Sequence, residues 1–525
     1  MIRNLLAAVL LLLITACATN DVPLRNLSGT VQKESTRPDA QGLLIGIVAD
    51  SQLQTRGNYN NVFAYRGRFE DAMVAVSIRP PALDWAARSL LRTHLEQLQS
   101  RGARVVFYLG DGANNGCFDE FAAGFDTSGE RARPNEEGVL AILDEFRRSA
   151  RIPVYYVLGN HDFLGAGSTS RSRRRTRFCE EQRPGRTNRP LNKFEVIQLT
   201  DAFNQRNSHF AGWSYHSSFE NGDRTGGACG SIPDFQPRQW GCYLAATVDY
   251  RAAGGDIQFL LLDTNDWASV TRSAIGSIDQ EGLRGAMSFG SRPPSDTPSQ
   301  TSWFERHARS FVAMRVALTH YDVPGLRKNV PFLGRISRRS QRFMDIFSRP
   351  GQPRRPNQQA AYVISAHTHR AVLDQSNRPF IIRCDDVGDG CGPAQRLSVS
   401  ELNVGSTTDY SNYATLVRLE PHRDASGSLF YDRLDLDSSM CRAIYADIAS
   451  HSFPNPVDST DTGLLALGIN VDSRFSYRRF DYTAVQSVWA NLESYVQQDR
   501  SRANCIGLLA AALEKDRARA LRMLN

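Results

Sequence analysis

Tyr155-Tyr156-Val157-Leu158-Gly159-Asn160-His161-Asp162 is the stretch whose reading decides the fold. A β-branched and aromatic run stops abruptly at Gly-Asn-His-Asp. A buried parallel strand delivers polar side chains to the C-terminal edge of a sheet in this way. Gly159 lets the backbone turn tightly. Asn160 offers a neutral oxygen to a cation, His161 can donate a proton, and Asp162 can hold that imidazole in one orientation. Alone, the tetrapeptide reads equally well as a polar turn after a strand. Its weight depends on the other segments.

Working backwards, residues 105–109 form a second apolar run ending in Gly110-Asp111-Gly112. Residues 43–49 form a third, with Asp50-Ser51-Gln52 at its end. Between these runs, residues 82–100 carry Leu83, Ala86, Ala87, Leu90, Leu91, Leu95 and Leu98 at helical spacing, and residues 135–148 read as an amphipathic helix with Asn135 as its cap. Strand, helix, strand, helix, strand argues for an α/β sheet with its polar residues at the strand ends.

Working forwards, residues 163–256 read as a long insertion. Its first part is basic, with Arg171, Arg173, Arg174, Arg175, Arg177, Arg183, Arg186 and Arg189; its last part is rich in Gly and aromatics. Regular structure resumes with a strand at 257–263. A helix starting near Gln300 has Trp303 and Phe304 on its inner face, and His307 on it is structural or exposed. A strand at 315–319 ends at His320. Residues 335–347 read as a basic helix, and a strand at 361–366 ends at His367-Thr368-His369. Further strands are expected near 397–404, 414–419 and 428–434. From 438 to 525 the pattern is mainly helical. Asn403 and Ser406, after the first of these strands, read as part of a polar turn.

The N-terminus reads as a processing signal. Arg3 precedes an apolar run from Leu5 to Ile14, and Ile14-Thr15-Ala16-Cys17 closes it. The run is too short to span a bilayer comfortably. The pattern resembles a bacterial lipoprotein signal covering residues 1–16, with Cys17 lipidated. A polar tether to residue 41 follows, and the main domain covers residues 42–437. An ordinary secretory signal or a short anchor is the alternative. Ala18 after the cysteine implies, by resemblance to Gram-negative lipoprotein sorting, a protein facing the periplasm from the outer membrane. The chain has 525 residues and a net charge of +7, which favours anionic partners only weakly and does not by itself indicate nucleic acid. With Cys17 set aside, the eight remaining cysteines suggest four disulfides in an oxidising compartment. Cys229–Cys242 and Cys384–Cys391 are the local candidates, and Cys441–Cys505 could staple the C-terminal region. No CxxC pair is present, which argues against a structural zinc site.

Five strands thus end in Asp50/Gln52, Asp111, Asn160/His161/Asp162, His320 and His367/His369. Carboxylates, amides and imidazoles at strand ends suit a pair of divalent ions about 3.5–4 Å apart, with one carboxylate bridging them. Two dications against two carboxylates and a hydroxide leave a small positive charge, which suits a phosphate ester. The ordered set Asp50-Ser51-Gln52, Gly110-Asp111-Gly112-Ala113-Asn114, Gly159-Asn160-His161-Asp162, His320, and Ala366-His367-Thr368-His369 resembles the calcineurin-like metallophosphoesterases over roughly residues 42–420. It departs from their pattern twice. Gln52 stands where the family has a histidine, and Ala366 where it has a glycine.

The resemblance implies an α/β sheet sandwich flanked by helices, and hydrolysis of a phosphomonoester or phosphodiester by a metal-bound hydroxide. Asp111 would bridge the two divalent ions (manganese, iron, zinc, magnesium or calcium). Asp50, Gln52 and His369 would complete the first site; Asn160, His320 and His367 would complete the second. His161 would act at the leaving oxygen with Asp162 behind it. Asn114 and Arg370 are candidate substrate contacts, although Arg370 could equally form a surface salt bridge. The basic run could draw anionic substrate inward or be a solvated loop. The alternative function is a lipid-anchored binding or scaffold protein that keeps the fold without turnover.

Overall fold

The computed structural model describes residues 31–33, 42–53, 81–114, 116–125, 137–163, 189, 191, 193–219, 243–251, 255–264, 300–307, 312–321, 361–367, 380–382, 399–408, 413–421 and 427–436. The N-terminal run with Cys17 read as a signal, the basic helix expected at 335–347, His369, Arg370 and the helical region expected from 438 lie outside them.

The described residues form a mixed α/β fold with two mixed sheets. The first contains β1 (Val31–Lys33), β2 (Leu43–Val48), β3 (Val105–Tyr108), β4 (Val154–Tyr156), β12 (Tyr413–Pro421) and β13 (Gly427–Asp435), in the order β1-β13-β12-β2-β3-β4. The second contains β5 (Trp213–Ser217), β6 (Ala246–Tyr250), β7 (Ile257–Leu262), β8 (Met314–Thr319), β9 (Ala361–Ser365), β10 (Phe380–Ile382) and β11 (Val399–Asn403), in the order β10-β11-β9-β8-β7-β6-β5. β2, β3 and β4 run parallel, as do β7, β8, β9 and β11. Parallel neighbours bring their C-terminal ends to one edge, which is how each sheet gathers the loops that follow its strands.

Period-2 alternation sorts side chains between two cores. Val105, Phe107 and Leu109 face the second sheet and meet Phe259, Val316, Leu318 and Ile364. Phe107 packs on Phe259 with ring centroids 4.6 Å apart. Val106 and Tyr108 face the other way, into a core closed by helices. These helices are α1 (Pro81–Ser100), α2 (Phe118–Phe121), α3 (Val139–Ala150) and α4 (Lys193–Gln205). Leu91, Leu95 and Leu98 of α1 supply the helical stripe read from sequence. A further helix, α5 (Gln300–His307), buries Trp303 and Phe304 and stacks His307 on Trp303.

Several expectations are corrected. The helix expected at 135–148 starts at Val139 behind Gly138, which makes no side-chain cap bond, so Asn135 is not its cap. Within the stretch 163–256 read as an insertion, the described residues 193–219 and 243–251 supply elements of the two-sheet fold. α4 packs on β4, and β5 and β6 extend the second sheet by antiparallel pairing. The arginine run drew attention away from the hydrophobic positions Val196, Ile197 and Phe203 that bury this helix. Arg189 pairs with Glu195 at 2.6 Å. Cys117, buried at the start of α2, is disulfide-bonded, and its partner lies outside the described residues, as do both cysteines of each expected pair. Among the described residues, no helix is long and apolar enough to cross a membrane.

Candidate metal centre and active site

The two sheets meet at one edge, and the polar strand ends converge there. Asp50, Gln52, Asp111, Asn160, His161 and Asp162 come from the first sheet; His320 and His367 come from the second. Among the described residues, five other than glycine hold a positive φ. Four of them are Asp50 (54°), Gln52 (42°), Asp111 (56°) and His367 (67°); the fifth, Arg151, ends α3. Left-handed backbone costs about 1–2 kcal/mol at each such residue. Strain clustered this way marks a site whose side-chain directions are held by the surroundings.

Two loops interlock to create it. A Cβ on Gly159 would sit 2.1 Å from the Asp111 backbone nitrogen, and one on Gly110 (φ 83°) would sit 2.5 Å from Gly159 N. Glycine at both positions lets the loops after β3 and β4 touch backbone to backbone. The His161 N–H then donates to Asp111 Oδ1 at 2.7 Å. The other oxygen, Oδ2, faces His320 Nε2 at 3.2 Å and accepts from Gln52 Nε2 at 3.4 Å.

His320 is oriented from behind, because its Nδ1–H donates to Leu109 O at 2.7 Å. Nε2 is left to face Asp111 Oδ2, Asn160 Oδ1 at 3.1 Å and His367 Nδ1 at 3.2 Å. One proton on Nε2 would be shared between two acceptor oxygens, whereas a divalent cation coordinated by all four atoms would satisfy them together. Asp111, His320 and His367 each place a ligand atom within 4.8 Å of the others. Asn160 Nδ2 has no hydrogen-bond partner among the described residues, so the amide turns its oxygen inward without being held through its nitrogen. These donors fit a divalent ion.

Electrostatics agrees with a site built for positive charge. Burial alone would raise the Asp111 carboxyl, but the neighbouring His320 and His161 outweigh it and hold the group well below the usual carboxylate range. Burial is the largest influence on His320 and would lower it, but the charge and hydrogen bond of Asp111, the Asp50 charge and the Leu109 carbonyl together outweigh it and carry the group up to about 9.

The pairing of His161 with Asp162 is corrected. The His161 ring is held by a backbone carbonyl, with Nδ1 donating to Asn114 O at 2.7 Å. Asp162 holds backbone instead. Its Oδ1 accepts from Gly112 N at 2.8 Å, Ala113 N at 3.2 Å and Tyr156 OH at 2.8 Å, and its Oδ2 accepts from Gly159 N at 2.9 Å. It therefore ties the loop after β3 to the loop after β4. Burial, followed by the Asp111 charge, pushes its carboxyl up to about 7. The Asn114 side chain is buried, and its carbonyl is the part that bears on His161.

Sequence reasoning missed Tyr156, whose hydroxyl accepts from Gly112 N at 2.9 Å while donating to Asp162, and Tyr108, which stacks on it at 4.8 Å. Two tyrosines at matching positions of paired strands, close to the polar ends, were the available signal.

No family model and no curated protein sequence matches the chain. Among solved structures, it is similar to a dimetal phosphatase from Danio rerio, with a TM-score of 0.32 and 12% identity, covering 75% of this chain and 99% of that one. It is also similar to the sulfate thiohydrolase SoxB of Thermus thermophilus in complex with glycerol, with a TM-score of 0.31 and 11% identity, covering 79% of this chain and 62% of that one. Likenesses this slight bear on neither activity nor substrate.

Proposed function

We propose that this chain is a metal-dependent hydrolase of phosphate esters working with a pair of divalent ions. The observation that carries the reading is the buried Asp111, whose one oxygen lies beside both His320 Nε2 and Gln52 Nε2 while its other is fixed by the His161 N–H. Asp50, Gln52 and His369 would hold one ion, and Asn160, His320 and His367 the other, with Asp111 between them. When bound, such ions lower the pKa of water toward neutrality and offset the charge of a phosphoryl group in transfer.

His161 handles the proton. Because Nδ1–H is committed to Asn114 O, Nε2 is the atom left to protonate the leaving oxygen. Asp162 and Tyr156 keep the two loops in register. The test is hydrolysis of a chromogenic phosphomonoester and phosphodiester by chelator-stripped protein, with manganese and the other divalent ions restored singly. Turnover that appears only with metal supports the reading. Absence of turnover on both esters with every ion would leave the lipid-anchored binding protein in its place.

Gln52 gives the pair its asymmetry. Its Nε2 faces the Asp111 carboxylate, and a half-turn of the terminal amide would bring its oxygen in as a ligand. A neutral amide oxygen favours harder ions than imidazole does. The first ion is therefore expected to exchange readily and the second to be retained. Gln52→His should keep the first ion through dialysis and shift preference toward zinc or iron; titrations identical to the parent would show that residue 52 does not coordinate.

The lipid anchor is also a proposal, resting on Ile14-Thr15-Ala16-Cys17. Cys17→Ser is expected to move the protein from the membrane to the soluble fraction with its hydrolase activity intact. Unchanged sedimentation with membranes would count against it.

A further inference from the structure

Beyond β2, residues 49–53 run beside residues 109–113 without forming a regular strand. The N–H groups of Asp50, Gln52 and Leu53 donate to the carbonyls of Gly110, Asp111 and Gly112 at 3.0, 2.8 and 2.6 Å. The opposite edge of this loop is gripped by three consecutive hydroxyls. Ser406 Oγ donates to Asp50 O at 2.7 Å, Thr407 Oγ1 to Ala49 O at 3.0 Å, and Thr408 Oγ1 to Ser51 O at 3.0 Å. All three side chains are fully buried. Ser406 Oγ also accepts the Thr408 N–H at 3.2 Å, so the turn holds its own shape. The grip starts at Gly405, where any Cβ would lie 2.7 Å from the Tyr413 ring.

The same short segment holds the other half of the site. Asn403 Nδ2 donates to Ala366 O at 2.9 Å and to Ser365 Oγ at 3.0 Å, and Val404 N–H donates to Ser365 O at 2.7 Å, immediately before His367. We propose that residues 403–408 are a positioning element that sets the loop bearing Asp50 and Gln52 against the loop bearing His367, with Ser406 and Thr408 holding the first of these. Ordinary packing would not require three successive side-chain donors on three successive carbonyls. A loop carrying Asp50 and Gln52 in left-handed conformation does require it, because a released loop would relax and swing both side chains away. The consequence for metal rests on the function proposed above; the positioning itself does not.

The test compares the parent with Ser406→Ala/Thr408→Val, which removes two hydroxyls at nearly constant volume, and with Ser406→Thr/Thr408→Ser, which keeps them. In metal-free protein, amide exchange at Asp50, Gln52 and Leu53 should quicken at least tenfold in the first variant and stay at the parent rate in the second. In a manganese titration, the first variant should bind its weaker ion about 10–100-fold less tightly with the stronger ion unchanged, the range typical of losing a partner behind a ligand. Exchange and titration matching the parent in the hydroxyl-free variant would overturn the proposal. A parent that takes up no divalent ion would sink the metal reading, and the exchange data would then decide the positioning role alone. If the double variant does not fold, Thr408→Val is read by the same two measurements.

Discussion

Asp111→Asn is expected to strip both ions and abolish hydrolysis. The asparagine oxygen would keep the bond from the His161 N–H, since that 2.7 Å contact is the better fixed of the two. Its NH₂ group would then occupy the place of Oδ2, facing His320 Nε2 and Gln52. An amide nitrogen has no lone pair to offer a cation, so the donor that the proposed pair of ions would share disappears. The loss in turnover should exceed the roughly 10²–10³-fold that removing one transition-state contact costs. Metal analysis that still finds two tightly held ions in the variant would remove Asp111 from the bridging role.

His161→Ala is expected to separate chemistry from metal binding. The residue does two things with different atoms. Its backbone N–H fixes Asp111, and any residue but proline supplies that; its ring, anchored on Asn114 O, would supply the proton in the proposed reaction. The alanine variant should therefore keep its metal content and lose about 10²–10⁴-fold in turnover, the usual contribution of a general acid or base. Added imidazole should restore part of it. Loss of metal from this variant would mean that His161 is a ligand.

The legible part of the molecule was local. Continuous apolar runs placed β2, β3, β7, β8, β9 and β12 to within a residue or two, because a strand buried on both faces is written as such a run. The polar residues just past those runs, Asp50, Asp111, Asn160, His320 and His367, do gather at one edge. Where the reading failed, the cause was a choice among nearby partners. Asp162 was paired with the adjacent imidazole, but four donors from Gly112, Ala113, Gly159 and Tyr156 satisfy its carboxylate. Three of them are backbone N–H groups, and side-chain identity carries no record of where a main-chain donor will point.

By itself, the sequence determined which side chains stand at strand ends, since period and residue chemistry act over a few positions. Tertiary structure alone decided that these ends come from two sheets, that a carbonyl of Asn114 turns the His161 ring, and that Ser406, Thr407 and Thr408 hold carbonyls more than 350 positions away in the chain. The physical reason is the same in each case. Main-chain donors and acceptors are present at nearly every residue, so only the folded path determines which of them meet.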